Sequence, residues 1–492
     1  MKRLPLLLLC LTLLSSLTGY ARNMLRVAHI FSDHMVLQRE SFVPVWGWGE
    51  PGKTVTVEPS WCEGGGVTAK VAKDGTWCLN IETTEAGGPH TVTITSGNET
   101  ITLKDILMGE VWVCAGQSNM EMPIGGFGFQ LVEGARNAAL KAGTYADKVR
   151  IIDIKTPRCY EPVDDIDASW KRASVSACVG TSAIAWFFAT ALADNLDIPI
   201  GIIVNPWGGS RIEAWMTREA IDASGITTEE RAAIDAVEEH LDRWPETPEL
   251  IWNGRMAPIA GYRAKGFIWY QGCSNMDQEC YDKLQTAMVK LWREAWTVRG
   301  MPDMPEEMPF IFALLAPYEH GDMNGRKRPH FIESQLRSLK TIPESYAVCT
   351  ETLGDLGTIH PAKKKEVGDM MALRALQSVY HQNLGFDIEL PELQSVEYLE
   401  DGRAKVTLTH VWSNLQNITA RGITGFELAG SDRVFHLADA EVDWDGSTIY
   451  VKCADVPKPV AVRYAFRNWM GANLQTSMGI PVPPFRTDDW AL

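Results

Sequence analysis

The amino-acid sequence predicts an α/β protein whose central part, residues 105–385, forms a parallel sheet covered by helices on both faces. In this part, short apolar runs typical of buried strands alternate with segments whose apolar residues recur at helical spacing, and such alternation favours parallel strands with helices packed on them. Residues 22–104 and 386–492 show alternating or β-branched runs separated by turns, which predict a β domain before the central part and a β-rich region after it.

The first 21 residues have the features of a secretory signal peptide. Lys2 and Arg3 are basic, residues 4–17 are mostly apolar, and residues 19–21 are suited to cleavage after Ala21. The apolar run is short for a membrane span. We therefore expect export to the periplasm or the extracellular space, with no membrane anchor.

The composition and charge of the chain limit the kinds of partner that it can be expected to bind. The formal net charge of −16 becomes −18 once Lys2 and Arg3 leave with the signal, and such acidity argues against nucleic acid and anionic membrane surfaces. The chain has neither a C-x-x-C pair nor clustered histidines, so we expect no metal site. The sequence leaves the oligomeric state open.

Short strands separated by turns are expected throughout the N-terminal domain. The runs at 43–49, 54–57, 91–94 and 100–103 have the required composition. They predict a small antiparallel domain, in which the tryptophans fill the core.

The central part begins with a stretch that presents a serine. Residues 111–115 form an apolar run suited to a strand buried on both faces, and Gly116 then allows a sharp turn. Ser118 follows at the carboxyl edge of the sheet, which is where open α/β sheets bind their ligands.

The remaining elements of the central and C-terminal parts follow from the same patterns. Further strands are predicted at 200–204, 267–270, 310–315, 346–348, 404–409, 448–452 and 460–464, and helices at 181–196, 281–296, 326–339 and 363–376.

Three further pieces that carry chemistry are expected directly after strands of the sheet. Residues 205–215 contain paired glycines, whose backbone N–H groups can approach a reacting oxygen closely. Residues 269–275 supply the neutral amides of Gln271 and Asn275. The third piece contains His360, and histidine is the usual general base for a serine hydroxyl.

The order of these pieces, serine, glycine, amide and histidine, is that of the serine hydrolases called SGNH or GDSL-like. Six stretches strongly resemble the sialate O-acetylesterase family of these enzymes, and they span essentially the whole mature chain. They are residues 31–39, 116–120, 207–215, 269–275, 359–361 and 484–490.

The resemblance implies a three-layer α/β/α SGNH fold for the catalytic part and a set of roles for its residues. Ser118 would be the nucleophile and His360 the base. The N–H groups of Ser118 and Gly209 would hold the oxyanion, together with the side-chain amide of either Gln271 or Asn275. The implied reaction is acetyl transfer through a serine acyl-enzyme, without metal or organic cofactor.

The chain departs from the family pattern at three positions near these motifs. Cys273 stands where the family often has glutamate, and Thr352 and Thr358 stand where relatives commonly carry aspartate. These departures remove the carboxylates that the pattern would place near the site.

The acid that would orient His360 is therefore not fixed by the pattern. Many SGNH enzymes carry it three residues before the histidine, where this chain has Gly357. Asp355 is the nearest candidate and Glu351 the next, and a backbone carbonyl holding the imidazole would give a Ser–His dyad. A weak or inactive enzyme is an alternative that these departures leave open.

Arg211, Glu213 and Trp215 are expected to line the cleft, with a structural role equally open for the glutamate and the tryptophan. Arg211 would suit a substrate carboxylate such as that of sialic acid, or neutral sugar hydroxyls.

The resulting hypothesis is a secreted carbohydrate O-acetylesterase, acting on sialic acid or another acetylated sugar. Two alternatives stand beside it: an esterase for the acetyl groups of plant-type xylan, xyloglucan or pectin, and a degenerate, non-catalytic glycan-binding protein.

Overall fold

The computed structural model describes residues 24–155, 159–238, 245–297, 307–419 and 422–490. The expected signal peptide at 1–21 lies outside these residues. Within the described ranges, no helix combines the length and the apolar composition that a membrane crossing needs.

The N-terminal part consists of short strands, as the sequence predicts. Its strands are β1 (Arg26–Val27), β2 (Val36–Gln38), β3 (Phe42–Trp48), β4 (Thr54–Pro59), β5 (Val67–Lys70), β6 (Thr76–Glu82) and β7 (Gly87–Ser96). β1, β3 and β6 form one antiparallel sheet, whereas β2, β4, β5 and β7 belong to the sheet that continues into the central part.

The long strand β8 (Glu99–Gly116) joins the N-terminal and central parts. Its first half pairs antiparallel with β7, and its second half pairs in parallel with strands of the central part. The apolar run at 111–115 is completely buried, as predicted for a central strand. The predicted domain boundary after residue 104 falls inside β8, so both parts share one strand.

The central part contains a large mixed sheet. Its further strands are β9 (Val149–Asp153), β10 (Lys171–Arg172), β11 (Ile200–Pro206), β12 (Gly266–Tyr270), β13 (Phe310–Ala313) and β14 (Ser345–Val348). The order is β10-β9-β11-β8-β12-β13-β14, parallel throughout except for the edge strand β10. The predicted strands of this region are confirmed.

Three strands of this sheet end side by side. Gly116 at the end of β8 pairs with Pro206 of β11 on one side and with Tyr270 of β12 on the other. The segments that follow these strands therefore start from one edge of the sheet, as the sequence predicts.

The helices include the four predicted at 181–196, 281–296, 326–339 and 363–376, with closely similar bounds. The helices are α1 (Ser118–Glu121), α2 (Ala135–Lys141), α3 (Val175–Gly180), α4 (Ala183–Leu196), α5 (Arg218–Asp222), α6 (Thr228–Glu238), α7 (Tyr281–Thr297), α8 (Lys327–Ser338) and α9 (Lys364–Arg374). α4 packs against α9, and α7 packs against α5 and α8. α4 begins after Ser182, whose hydroxyl accepts the N–H of Ala185 and so caps the helix.

The C-terminal part is β-rich, as predicted. Its strands are β15 (Glu392–Tyr398), β16 (Ala404–Thr409), β17 (Leu415–Asn417), β18 (Phe426–Ala429), β19 (Phe435–Leu437), β20 (Asp439–Val442), β21 (Thr448–Lys452), β22 (Ala461–Tyr464), β23 (Leu474–Thr476) and β24 (Phe485–Arg486). They form two four-stranded sheets and one pair, with an apolar core of their own.

A buried arginine connects this C-terminal part to the central sheet. Arg328 in α8 pairs with Glu351, just after β14, at 2.8 and 3.1 Å, and both side chains are almost completely buried. The same guanidinium donates to backbone carbonyls of the C-terminal part, at Arg467 (3.2 Å) and Asn468 (3.2 Å). One side chain thus satisfies polar groups of both these segments, which lie outside its own helix.

Replacing Arg328 with Ala is expected to lower the free energy of unfolding by about 3–5 kcal/mol, because it leaves the Glu351 carboxylate buried without its cation. Arg337→Ala on the same helix is the matched control, since Arg337 is half exposed and its ion pair with Asp282 should contribute at most about 1 kcal/mol. Urea denaturation measures both effects. Equal losses in the two variants would contradict this role of Arg328.

Candidate active site

A tight turn places Ser118 at the carboxyl edge of the sheet. Gly116 has φ +141°, and a Cβ at this position would lie 2.3 Å from the carbonyl oxygen of Tyr270 in β12. Only glycine fits where the two strands approach so closely. The N–H of Gln117 then donates to the same carbonyl at 2.9 Å, and Ser118 begins α1 with its side chain partly exposed.

His360 meets this serine from a segment 242 residues further along the chain. Its Nε2 lies 2.8 Å from Ser118 Oγ, which is the spacing of a nucleophile and its base. The ring is half buried, and Phe127 packs edge-on against it at 5.4 Å between ring centroids. The structure therefore brings together the two side chains that the sequence singled out.

A glutamine, rather than an acid, holds the other nitrogen of this histidine. The Oε1 atom of Gln130 lies 2.9 Å from His360 Nδ1. The Nε2 atom of Gln130 donates to Thr358 Oγ1 at 2.8 Å, and that oxygen also accepts the backbone N–H of His360 at 3.1 Å. The amide oxygen faces the ring and can accept only from a protonated Nδ1, which is the tautomer that leaves Nε2 free to accept a proton.

This arrangement corrects the expectation that Asp355 orients His360. Asp355 is exposed, and its carboxylate accepts the N–H of Gly357 at 2.8 Å. The second candidate, Glu351, is buried in its pair with Arg328. An acid close in sequence is thus turned toward its own loop, while the partner of the imidazole comes from a distant loop.

Asn119 ties the segment of the nucleophile to the segment of the base. Its Nδ2 donates to the carbonyl of Ile359 at 3.0 Å, and its Oδ1 accepts from Lys364 Nζ at 2.6 Å. Ile359 directly precedes His360, and Asn119 directly follows Ser118. The amide therefore spans the two segments next to the reacting atoms.

Lys364 places a positive charge next to the base. Its side chain is buried, and burial lowers the pKa of its ammonium group from 10.5 to about 7. The pKa of His360 is lowered from its ordinary value, first by burial and then by the charge of Lys364. Both effects favour the neutral imidazole that can accept a proton from serine.

The paired glycines lie beside the nucleophile. A Cβ at Gly208 would lie 3.5 Å from the Cβ of Ser118, and Gly209 adopts φ +72°. The Gly208 N–H donates to Glu121 Oε2 at 2.6 Å, which fixes the loop against α1. The pKa of Glu121 is raised by burial, although the bond from Gly208 opposes that shift. The loop thus places Gly208 beside Ser118, and Gly209 follows it directly in the chain.

Gln271 and Asn275 do not offer the oxyanion donor that we expected from one of them. Both are completely buried. The Nε2 of Gln271 donates to the Ser210 carbonyl at 2.9 Å and to Asn275 Oδ1 at 2.6 Å. The Nδ2 of Asn275 donates to Glu213 at 2.9 Å and to Gln278 at 2.6 Å. Both amides are therefore used beneath the glycine loop rather than at the nucleophile.

Arg211, Glu213 and Trp215 also support this loop instead of lining a cleft. All three are buried; Arg211 donates to Asp277 at 3.3 Å, and its Nε lies 3.7 Å from Glu213. The indole of Trp215 donates to Ser210 Oγ at 3.0 Å. The structural role that was left open for the glutamate and the tryptophan is the one observed. For the arginine, the expected contact with substrate is replaced by internal ion pairs.

Sequence reasoning missed four residues around the base: Gln130, Thr358, Asn119 and Lys364. Only Thr358 carried a usable signal, because it stands two residues before His360 at a position where relatives commonly have an acid. Gln130 is 230 residues away from the histidine that it contacts and has no local pattern. Among the described residues, no group of three or more His, Cys, Asp or Glu side chains could hold a metal ion.

Comparison with known proteins shows which family this chain resembles. The model of a family described as carbohydrate esterase, sialic acid-specific acetylesterase, matches residues 108–377. The sialate O-acetylesterases of Mus musculus and Homo sapiens are 27% and 28% identical to this chain, over 94% of it in both cases and over 94% and 92% of their own lengths. A solved structure described as a novel carbohydrate acetylesterase from Xanthomonas citri is 29% identical, with a TM-score of 0.81 over 94% of this chain and 100% of that one.

Gln130→Ala is expected to lower kcat by about 10- to 100-fold, a part of the roughly 10²–10⁴-fold that a positioned general base contributes. Gln130→Glu keeps an acceptor at Nδ1 and should raise the pKa of His360, so that kcat/KM falls at a higher pH on the acid side. Steady-state kinetics across pH test both variants. Full activity in Gln130→Ala would contradict the orienting role.

Lys364→Met is expected to move the acid limb of the kcat/KM profile to higher pH. Activity needs the neutral imidazole, so kcat/KM falls as the pH drops through the pKa of His360, and Lys364 is protonated in that range because its own pKa is about 7. Removing this charge removes one cause of the lowered pKa of His360. Lys365→Met, which changes an exposed lysine of the same helix, should leave the limb in place. An unshifted limb in Lys364→Met would contradict the electrostatic effect.

Proposed function

The chain belongs to the sialic acid-specific acetylesterase family of carbohydrate esterases, and we propose that it removes acetyl groups from sugars through a serine acyl-enzyme. The observation that carries this proposal is the 2.8 Å contact between His360 Nε2 and Ser118 Oγ at the carboxyl edge of the sheet. In keeping with the family, we assign the central parallel sheet and its helices to the three-layer α/β/α SGNH fold, residues 105–385, between β-rich domains at 22–104 and 386–492.

In the proposed reaction, Ser118 Oγ attacks the carbonyl carbon of the acetyl ester and passes its proton to His360 Nε2. The N–H groups of Ser118 and Gly209 hold the oxyanion of the tetrahedral intermediate; the first belongs to a helix N-terminus, where N–H groups have no intrahelical acceptor. The imidazolium then protonates the departing sugar oxygen. Water attacks the acyl-enzyme with His360 again as base, and acetate leaves. No cofactor takes part in this scheme.

One observation favours a neutral acetylated sugar over sialic acid. Arg211 is the cation that we assigned to the carboxylate of sialic acid, and it is 8% exposed and engaged by Glu213 and Asp277. A buried guanidinium whose charge is already offset by two carboxylates is poorly placed to receive the carboxylate of a substrate. We therefore propose acetylated xylan- or xyloglucan-type glycans as the substrate class, since pectin, like sialic acid, carries carboxylates. The basic and apolar start of the chain supports export, to the periplasm or outside the cell.

Ser118→Ala is expected to reduce p-nitrophenyl acetate hydrolysis by at least about 10⁴-fold, because it removes the nucleophile. Ser224→Ala, at a serine whose hydroxyl donates to the Ile221 carbonyl far from the site, is the matched control. Activity that survives in Ser118→Ala would remove this serine from the mechanism. Absence of activity in the wild type would favour the non-catalytic glycan-binding alternative.

Acetate release measured on acetylated xylan and on an O-acetylated sialoside is expected to be faster with xylan, since Arg211, the cation expected to bind the sialoside carboxylate, is already paired with Glu213 and Asp277. A preference for the sialoside would contradict the proposed substrate class but not the serine mechanism.

A further inference from the structure

An exposed phenylalanine stands out on the loop that supplies the partner of the catalytic histidine. Phe129 is the most exposed large apolar side chain among the described residues, with a relative accessibility of 107%, and Leu131 in the same loop is 65% exposed. Large apolar side chains grouped at the surface often mark binding surfaces. Both residues flank Gln130, which contacts His360.

Phe129 sits within a turn that is closed by backbone hydrogen bonds. The N–H of Phe127 donates to the carbonyl of Gln130 at 2.9 Å, and the N–H of Gln130 donates back to Phe127 at 2.7 Å. Gly126 adopts φ +79°, and a Cβ there would lie 2.1 Å from the Gln130 carbonyl oxygen. The turn is therefore compact, and Phe129 is not part of a loose chain.

Residues at both ends of this turn contact the catalytic histidine. The ring of Phe127 packs edge-on against His360, and the amide of Gln130 binds its Nδ1. Phe129 directly precedes Gln130, so their Cα atoms lie about 3.8 Å apart. The contacts that hold His360 in place thus also hold the turn that carries Phe129 beside the site.

We propose that Phe129, with Leu131 beside it, is a stacking subsite for a sugar ring of the acetylated glycan. This inference rests on the proposed function, because a glycan whose acetyl group reaches Ser118 must extend over the rim of the site. The C–H groups on the face of a pyranose form an apolar surface that packs on an aromatic ring, while its hydroxyls remain in water. A fully exposed phenylalanine ring suits that contact.

The first test compares Phe129→Ala with wild type on acetylated xylo-oligosaccharides and on p-nitrophenyl acetate, which carries no sugar. The fall in kcat/KM on the oligosaccharide should exceed the fall on p-nitrophenyl acetate by about tenfold, mainly through KM. Phe129→Trp should restore the oligosaccharide activity. Trp444→Ala is the matched control, since Trp444 is an exposed aromatic residue (94%) in the C-terminal part. Equal falls on both substrates would overturn the subsite and indicate an effect on His360.

The second test measures binding without turnover. In a Ser118→Ala background, calorimetric titration with the acetylated xylo-oligosaccharide should show affinity about tenfold weaker when Phe129→Ala is added, and unchanged when Trp444→Ala is added. Equal affinity in the presence and absence of Phe129 would overturn the proposal. If the wild type releases no acetate from any ester but binding still depends on Phe129, the esterase proposal fails and the subsite stands.

Discussion

The site depends on one side-chain amide that joins two distant segments. Asn119 binds the backbone next to His360 and the buried ammonium of Lys364, while its own backbone continues from Ser118. The 2.8 Å contact between Ser118 and His360 tolerates little displacement of either side chain. Chain entropy opposes holding the two loops in this fixed position. The amide counters that entropy at the residues adjoining the reacting atoms, where a hydrogen bond constrains them most directly.

The need to hold backbone segments in fixed positions also explains why so many polar residues of the motifs are buried. Gln271, Asn275 and Glu213 form a hydrogen-bonded network beneath the glycine loop, and every polar group taken out of water there needs a partner. Gly208 and Gly209 have no side chains with which to hold themselves in place. Their backbone must nevertheless point at a fixed position beside Ser118. A polar network in which every group has a hydrogen-bond partner supplies that rigidity. The role of these motif residues is therefore to hold the glycine loop in place.

The strands, the helices and the pair Ser118 and His360 were predictable because their signals are local. An apolar run followed by glycine marks a strand end, and three such ends meet at one edge of the sheet. The surroundings of the pair were not predictable in the same way. Asp355 was selected for its closeness in sequence, whereas Gln130 reaches the imidazole from a glycine-rich loop with no preceding strand to place it. Arg211 was expected in the cleft because its motif adjoins the site, but the sequence does not show on which side of the glycine loop a polar side chain lies.

The electrostatic surroundings of His360 fit the ester chemistry proposed for it. A neutral amide at Nδ1 stabilises the imidazolium less than the carboxylate of a Ser–His–Asp triad does, and the nearby Lys364 opposes the imidazolium. A histidine of lowered pKa is a weaker base toward Ser118, but once protonated it is a stronger acid toward the departing sugar oxygen. Because an alkoxide leaves an ester more easily than an amine leaves an amide, the weaker base is tolerable provided that the backbone N–H groups hold the oxyanion. The absence of an orienting acid is therefore compatible with a working acetylesterase whose catalysis rests more on the glycine loop than on the base.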